Sequence, residues 1–156
     1  MRIILLVLLV FSFSTPILAQ EKGISSKEFI ANESKSEELN RIYASSAYSE
    51  SEDIFGDRKE LFSATFTSMI LDLNQYLHSE GFEWNQEVAY TFKFYIGENG
   101  KIDHLIYQFH NGIVISNEDQ FGDLLNVWIN YYRFPLKAPG PFRHYYASKF
   151  KPSSKH

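Results

Sequence analysis

Hydrophobic and polar positions divide the chain into three regimes. After an apolar start, residues from Gln20 to about Gly56 are polar and serine-rich, as in Asn32-Glu33-Ser34-Lys35-Ser36-Glu37-Glu38. Such a stretch buries too little apolar surface to offset the entropy of ordering it. It reads as a linker or loosely docked arm, with a short helix around Glu37 to Tyr48 where Leu39, Ile42 and Tyr43 share a face. From Asp57 the period changes. Phe62, Phe66, Met69, Ile70, Leu73 and Leu77 recur at spacings of three and four, the stripe of an amphipathic helix. Asp57 with Glu60 predicts a capping box, and Gly81 stands where a left-handed residue closes a helix.

Period two follows. Val88, Tyr90, Phe92, Phe94 and Ile96 alternate with Ala89, Thr91, Lys93 and Tyr95. Asn99-Gly100 is a strong hairpin-turn signal. Centring the turn there pairs Phe94 with Leu105, Phe92 with Tyr107 and Tyr90 with Phe109. The apolar faces of both strands then coincide, and a one-residue slip would destroy that agreement. Ser116 and Asp119 suggest a second capping box, and Phe121, Leu124, Leu125, Trp128, Ile129 and Tyr132 form a second helical stripe. Pro135 stops that helix, Pro139-Gly140-Pro141 turns the chain, and Phe142 to Phe150 is the last strand. The order helix, strand, strand, helix, strand predicts an α+β fold. Its sheet is small, antiparallel and three-stranded, in the order 2-1-3, with both helices on one face. The last strand then has an open edge.

The N-terminal apolar run assigns a compartment. Arg2 precedes Ile3 to Phe13, then Ser14, Thr15 and Pro16, and Ile17-Leu18-Ala19 ends in a small residue. This is the layout of a signal peptide cut after Ala19, leaving Gln20 first and no membrane anchor. A spanning helix needs about 20 apolar residues, more than this segment offers. The expected organisation is therefore signal peptide 1–19, polar arm 20–56, one α+β domain 57–152 and a tail 153–156, in a periplasmic or secreted protein.

Composition narrows the chemistry. The chain has no cysteine, which excludes disulfides, thiolate zinc sites, thiol nucleophiles and lipid attachment at a lipobox. Aromatic residues are 17% of the chain, enough for a few large side chains to fill much of a small core. The net charge is −4, but after Asp123 there is no carboxylate side chain, against Arg133, Lys137, Arg143, Lys149, Lys151 and Lys155. That basic third suits either an acidic partner or the protein's own acidic half. An acidic, exported chain is a poor candidate for nucleic acid. His104 and His110 share a strand face but stand about 20 Å apart, too far to share a metal ion, so no metal or other cofactor is expected. Glu80, Glu83 and Glu87 cluster between helix and strand, where a solvated connection is the commoner role than acid–base work. Tyr131, Tyr132, Tyr145 and Tyr146 lie near the basic third, either as a binding surface or as filling between helix and sheet. No nucleophile elbow or phosphate loop is present. An enzyme is thus not expected.

The hairpin Val88-Ala89-Tyr90-Thr91-Phe92-Lys93-Phe94-Tyr95-Ile96 with Asn99-Gly100-Lys101-Ile102 resembles a known family when taken with the closing segment. That segment is Phe134-Pro135, Gly140-Pro141 and a strand ending Lys149-Phe150. The family is the C-terminal domain of TonB, the energy transducer of Gram-negative outer-membrane transport, and the similar region is about Leu61 to Pro152. The resemblance implies the same small sheet with two helices. It also implies capture of a short receptor peptide on the last strand by β-augmentation. The implied binding residues are Phe142, Arg143, His144, Tyr145, Tyr146, Ala147 and Lys149, and the implied partner is a protein segment of the envelope or outer membrane. The chain departs from the family in its cleavable N-terminal segment, in lacking a proline-rich spacer in residues 20–56, and in a longer first helix with no Tyr-Pro pair after it. It therefore resembles a binding module more than a force transmitter. Two alternatives accompany this reading: a self-associating envelope protein, as a homodimer through strand exchange or a paired edge, and a small periplasmic enzyme.

Overall fold

The computed structural model describes residues 22–25, 33–45, 54–110 and 117–152; the apolar N-terminal segment and the tail from 153 lie outside them. In chain order the elements are β1 (Lys22–Ser25), α1 (Glu33–Ile42), β2 (Ala44–Ser45), α2 (Lys59–Ser79), β3 (Val88–Ile96), β4 (Ile102–Phe109), α3 (Glu118–Tyr131) and β5 (Phe142–Phe150). The fold is α+β. Strands β4, β3 and β5 form the antiparallel sheet in the order expected from the pattern, with β3 central. Among the described residues no helix is long and apolar enough to cross a membrane.

Helices α2 and α3 cover one face of the sheet. Their stripes bury Phe62, Phe66, Met69, Ile70, Leu73 and Leu77 from α2 and Phe121, Leu125, Trp128 and Ile129 from α3. Opposite them lie Tyr90, Phe92, Phe94, Leu105 and Tyr107. Burying a side chain of this size contributes about 1.5–3 kcal/mol. The two helices also touch each other, through Trp128 Nε1–H donating to Asp72 Oδ1 at 2.7 Å and through the Tyr76 and Tyr131 rings.

The start of α2 departs from expectation. The Asp57–Glu60 capping box is not made: Gly56–Arg58 forms a 3-10 turn, and α2 begins at Lys59 with no side-chain cap. Phe55 sets this entry instead, its ring stacked on Phe62 at 4.4 Å and edge-on to Phe142 at 5.1 Å. Helix α3 follows Asn117, again with no side-chain cap; Ser116 lies outside the described residues. The C-terminus of α2 behaves as read. Gly81 takes φ +74°, its N–H donates to the His78 carbonyl, and the Phe82 N–H donates to the Leu77 carbonyl. These two bonds make a Schellman close, with Leu77 and Phe82 both buried.

The hairpin holds its expected register but uses a different turn. Residues 90 to 95 pair as predicted, whereas Ile96 faces Ile102, so an extra residue sits on the β4 side. The Gly100 N–H donates to the Gly97 carbonyl and the Gly97 N–H to the Lys101 carbonyl. The turn is thus centred on Glu98-Asn99, with Gly100 at φ +78° as a first bulge residue, and Asp103, the extra residue on β4, brings residues 90 to 95 into the expected register. Gly100 also accepts the Phe134 N–H at 2.7 Å, which ties the hairpin tip to the segment after α3.

The polar arm is more structured than its composition implies. Within it β1 pairs parallel with β4, and β2 pairs parallel with β5 at Phe142 and Arg143, making the sheet five-stranded. Helix α1 packs on the face away from α2 and α3, where Leu39, Tyr43, Tyr95 and Ile106 form a second small core. Tyr43 Oη donates to Asp103 Oδ2 at 2.8 Å, and its ring meets Tyr95 edge-on at 5.2 Å. Lys93 Nζ and Tyr95 Oη both donate to Asn40 Oδ1, and the Arg143 guanidinium donates to the carbonyls of Asn40 and Tyr43.

A Cβ at residue 100 would overlap the Phe134 carbonyl oxygen, in a backbone region that side chains rarely adopt. Gly100→Ala is expected to cost about 1–3 kcal/mol of stability, measured by urea unfolding. An unchanged midpoint would mean that the tip is not held against Phe134.

Candidate functional site

Strand β5 is positioned by its whole length on β3, from Val88 opposite Phe150 to Ile96 opposite Phe142. Its far end is locked by aromatic stacking. The Phe150 ring lies between Trp84 at 4.1 Å and Tyr90 at 4.0 Å, nearly parallel to both. Its near end is flanked by β2. Among the described residues, no strand pairs with the outer edge of β5 beyond Arg143. The expected open edge is therefore shorter than Phe142 to Phe150, because Phe142 and Arg143 already have a strand beside them.

The direction of each β5 backbone group follows from alternation. The His110 N–H donates to the Ala89 carbonyl, so Ala89 and every second residue of β3 bond towards β4. Tyr90, Phe92 and Phe94 then bond towards β5, where they face Ser148, Tyr146 and His144. The even-numbered residues of β5 thus spend their hydrogen bonds on β3. Those of Tyr145, Ala147 and Lys149 point to the open edge.

Side chains on β5 sort by the same parity. Phe142 and Phe150 are buried; His144, Tyr146 and Ser148 are half-buried towards α2. Tyr145, Ala147 and Lys149 are exposed, and Arg143 is half-buried against the carbonyls at the end of α1. The seven expected site residues thus form one continuous strand but present two faces. Tyr145 is more than half exposed and carries the Lys93 ammonium 4.9 Å above its ring, a cation–π contact. Lys149 Nζ pairs with Glu87 at 2.8 Å; both are exposed, so the pair contributes less than about 1 kcal/mol. Tyr146 tilts against Phe66 and Tyr90.

The other candidates disperse. Tyr131 is exposed beside Tyr76, and Tyr132 stacks on Trp128 at 4.6 Å, so the four tyrosines near the basic third do not make one surface. Glu80, Glu83 and Glu87 are all exposed. His110 bonds Thr91 at 2.6 Å, and His104 lies edge-on to Tyr95. No group of three or more metal-ligating side chains occurs among the described residues. Sequence reasoning missed the groove where α2, the following turn and the end of β5 meet, lined in part by Asn74, His78, Trp84 and Lys151. Its residues come from three separate segments, and only the aromatic pair Phe82 and Trp84 hinted at it.

Comparison with protein-family models, with curated proteins and with solved structures finds no match to this chain.

The ionisation of His144 on β5 is displaced by burial. Its ring packs 4.3 Å from Phe66 and 4.9 Å from Phe62, and burial pushes its pKa down to about 4. In the unfolded chain a histidine titrates near about 6.5. Between these values the unfolded state binds more protons, so stability falls as pH drops. The contribution of neutral His144 is complete above about pH 6.5 and is lost as pH approaches about 4. Urea unfolding at both ends of this window should show His144→Phe losing less stability on acidification than the parent. Equal losses would mean that His144 is solvated.

Proposed function

We propose that this protein is an exported, non-catalytic binding module that captures an extended peptide segment on the outer edge of β5, working in the periplasm on a protein of the envelope or outer membrane. The observation that carries this reading is the row of edge-facing backbone groups at Tyr145, Ala147 and Lys149. An unpaired row of N–H and C=O groups is a template for another strand. Main-chain bonds supply affinity there, and the alternating side chains supply selectivity. That β2 already pairs with Phe142 and Arg143 supports the reading, because the same edge accepts a strand at one end. The resemblance of the hairpin and closing segment to the TonB C-terminal domain points the same way. A cleavable N-terminal segment and the lack of a proline-rich spacer favour binding over force transmission.

Self-association through the same edge is the second reading. Every copy carries the row, and two copies related by a two-fold axis would pair β5 with β5 antiparallel.

Proline substitution along β5 tests both readings, since proline removes a single N–H. Ala147→Pro removes an edge-facing donor and is expected to leave the fold intact while weakening capture of an envelope partner about tenfold, the loss of about one hydrogen bond. Ser148→Pro removes a donor to β3 and is expected to destabilise the domain by about 1–3 kcal/mol. Sedimentation of the parent over a concentration series assigns an edge effect to a second protein or to a second copy. If Ala147→Pro stays folded and changes neither partner capture nor self-association, strand pairing is not how this protein works.

A further inference from the structure

At the end of the open edge lies a groove of about 320 Å³, within the size range of small-ligand sites. Leu77, Phe82, Trp84 and Phe150 give it apolar walls, and His78, Lys149 and Lys151 give it a basic rim; among the described residues no carboxylate lines it. The groove opens on the edge side of β5. Asp72 and Tyr76 mark the flank of α2 that touches α3, whereas Asn74 and His78 lie on the flank turned away from α3. One charge is already partnered, since Lys149 pairs with Glu87. Lys151 and His78 are exposed, and neither has a charged partner among the described residues.

A second observation concerns hydrogen bonds. Trp84 is 8% exposed, yet its indole N–H donates to no acceptor among the described residues. The other tryptophan, Trp128, donates to Asp72 at 2.7 Å. A buried donor left without an acceptor is costly and uncommon. The Asn74 amide, also in the lining, likewise makes no hydrogen bond among the described residues. The groove therefore offers donors and positive charge around apolar walls. What complements it is an acceptor-rich anion on an apolar body.

Strand direction says where such a group would come from. On this same edge β2 runs parallel to β5. A peptide following that direction from Tyr145 to Lys149 would extend about 13 Å and bring its C-terminal end to the groove. We propose that the groove binds the C-terminal residue of the captured peptide, an aromatic or large aliphatic side chain bearing a free α-carboxylate. The inference rests on the strand-capture reading and adds to it a direction, parallel to β5, and a terminal specificity. Capture of a terminal carboxylate by clustered donors is a recurrent way of reading peptide ends.

N-acetylphenylalanine tests this without any strand pairing, because one residue is too short to pair with β5. The whole protein is titrated with it and, separately, with N-acetylphenylalaninamide, while the two tryptophan indole N–H signals are followed by NMR. The acid should move the Trp84 signal and leave that of Trp128 in place. The amide should bind about tenfold more weakly, as expected for loss of one charge-assisted hydrogen bond. Lys151→Gln and His78→Gln, both exposed changes, should weaken binding of the acid and leave that of the amide unaltered. Equal binding of acid and amide, or a Trp84 signal that neither moves, overturns the terminal-carboxylate site. Such a result beside a partner lost on Ala147→Pro leaves strand capture standing, so the two readings fail separately.

Discussion

Phe150 lies face to face between Trp84 and Tyr90, and this three-ring stack closes the sheet at the end where β5 finishes. Tyr90 belongs to the central strand, Trp84 to the connection from α2, and Phe150 to the last strand. One stack therefore fixes three segments that are far apart in sequence. Its dependence on parity is strict. If β5 slipped by one residue, Phe150 would turn to the opposite face, and Phe142, buried beside Phe55 and Phe62 at the other end, would turn with it. Register and hydrogen-bond direction are coupled, so the same stack decides which β5 amides are spent on β3 and which remain for a partner.

The helices depend on the same face. Phe66 meets Phe94, His144 and Tyr146, and Phe121 meets Phe92, Tyr107 and Phe150, so each helix reads the parity of two or three strands at once. No disulfide is available to hold this domain, and packing of large rings carries that role. Helix α2 also forms one wall of the groove at the end of β5, while β2 closes the other end of the edge. The proposed binding row is thus bounded by structure at both ends, with a strand at one and donors with basic side chains at the other.

Much of this was legible in the residues. Period two in both hairpin strands fixed the pairing of Phe92 with Tyr107 and Phe94 with Leu105, because only one register puts all their apolar side chains together. The stripes of α2 and α3 were equally plain, and α2 ends at Gly81 as expected. The Asp57–Glu60 capping box failed because Phe55 and the 3-10 turn, rather than Asp57, set the entry to α2. The docking of the arm was hard to read for a different reason. Its few apolar residues, Leu39 and Tyr43, pair with Tyr95 and Ile106, which occupy strand positions whose parity reads as solvent-facing. An aromatic at such a position was the available signal. Apart from the aromatic pair Phe82 and Trp84, nothing hinted at the groove, because no local pattern joins residues 74–78, 82–84 and 149–151.

Strand capture depends on the alternation of backbone groups along β5, and amide hydrogen exchange reads that alternation residue by residue in the protein alone. Tyr146 and Ser148, bonded to β3 within the sheet, should exchange only as slowly as the whole domain opens. Tyr145, Ala147 and Lys149 should exchange close to the rate of exposed chain, although they sit in the same strand. A two-residue rhythm of slow and fast amides from 144 to 149 is the predicted result. Uniform protection across those residues would contradict it, because the edge would then be covered in the protein itself and unavailable to a partner.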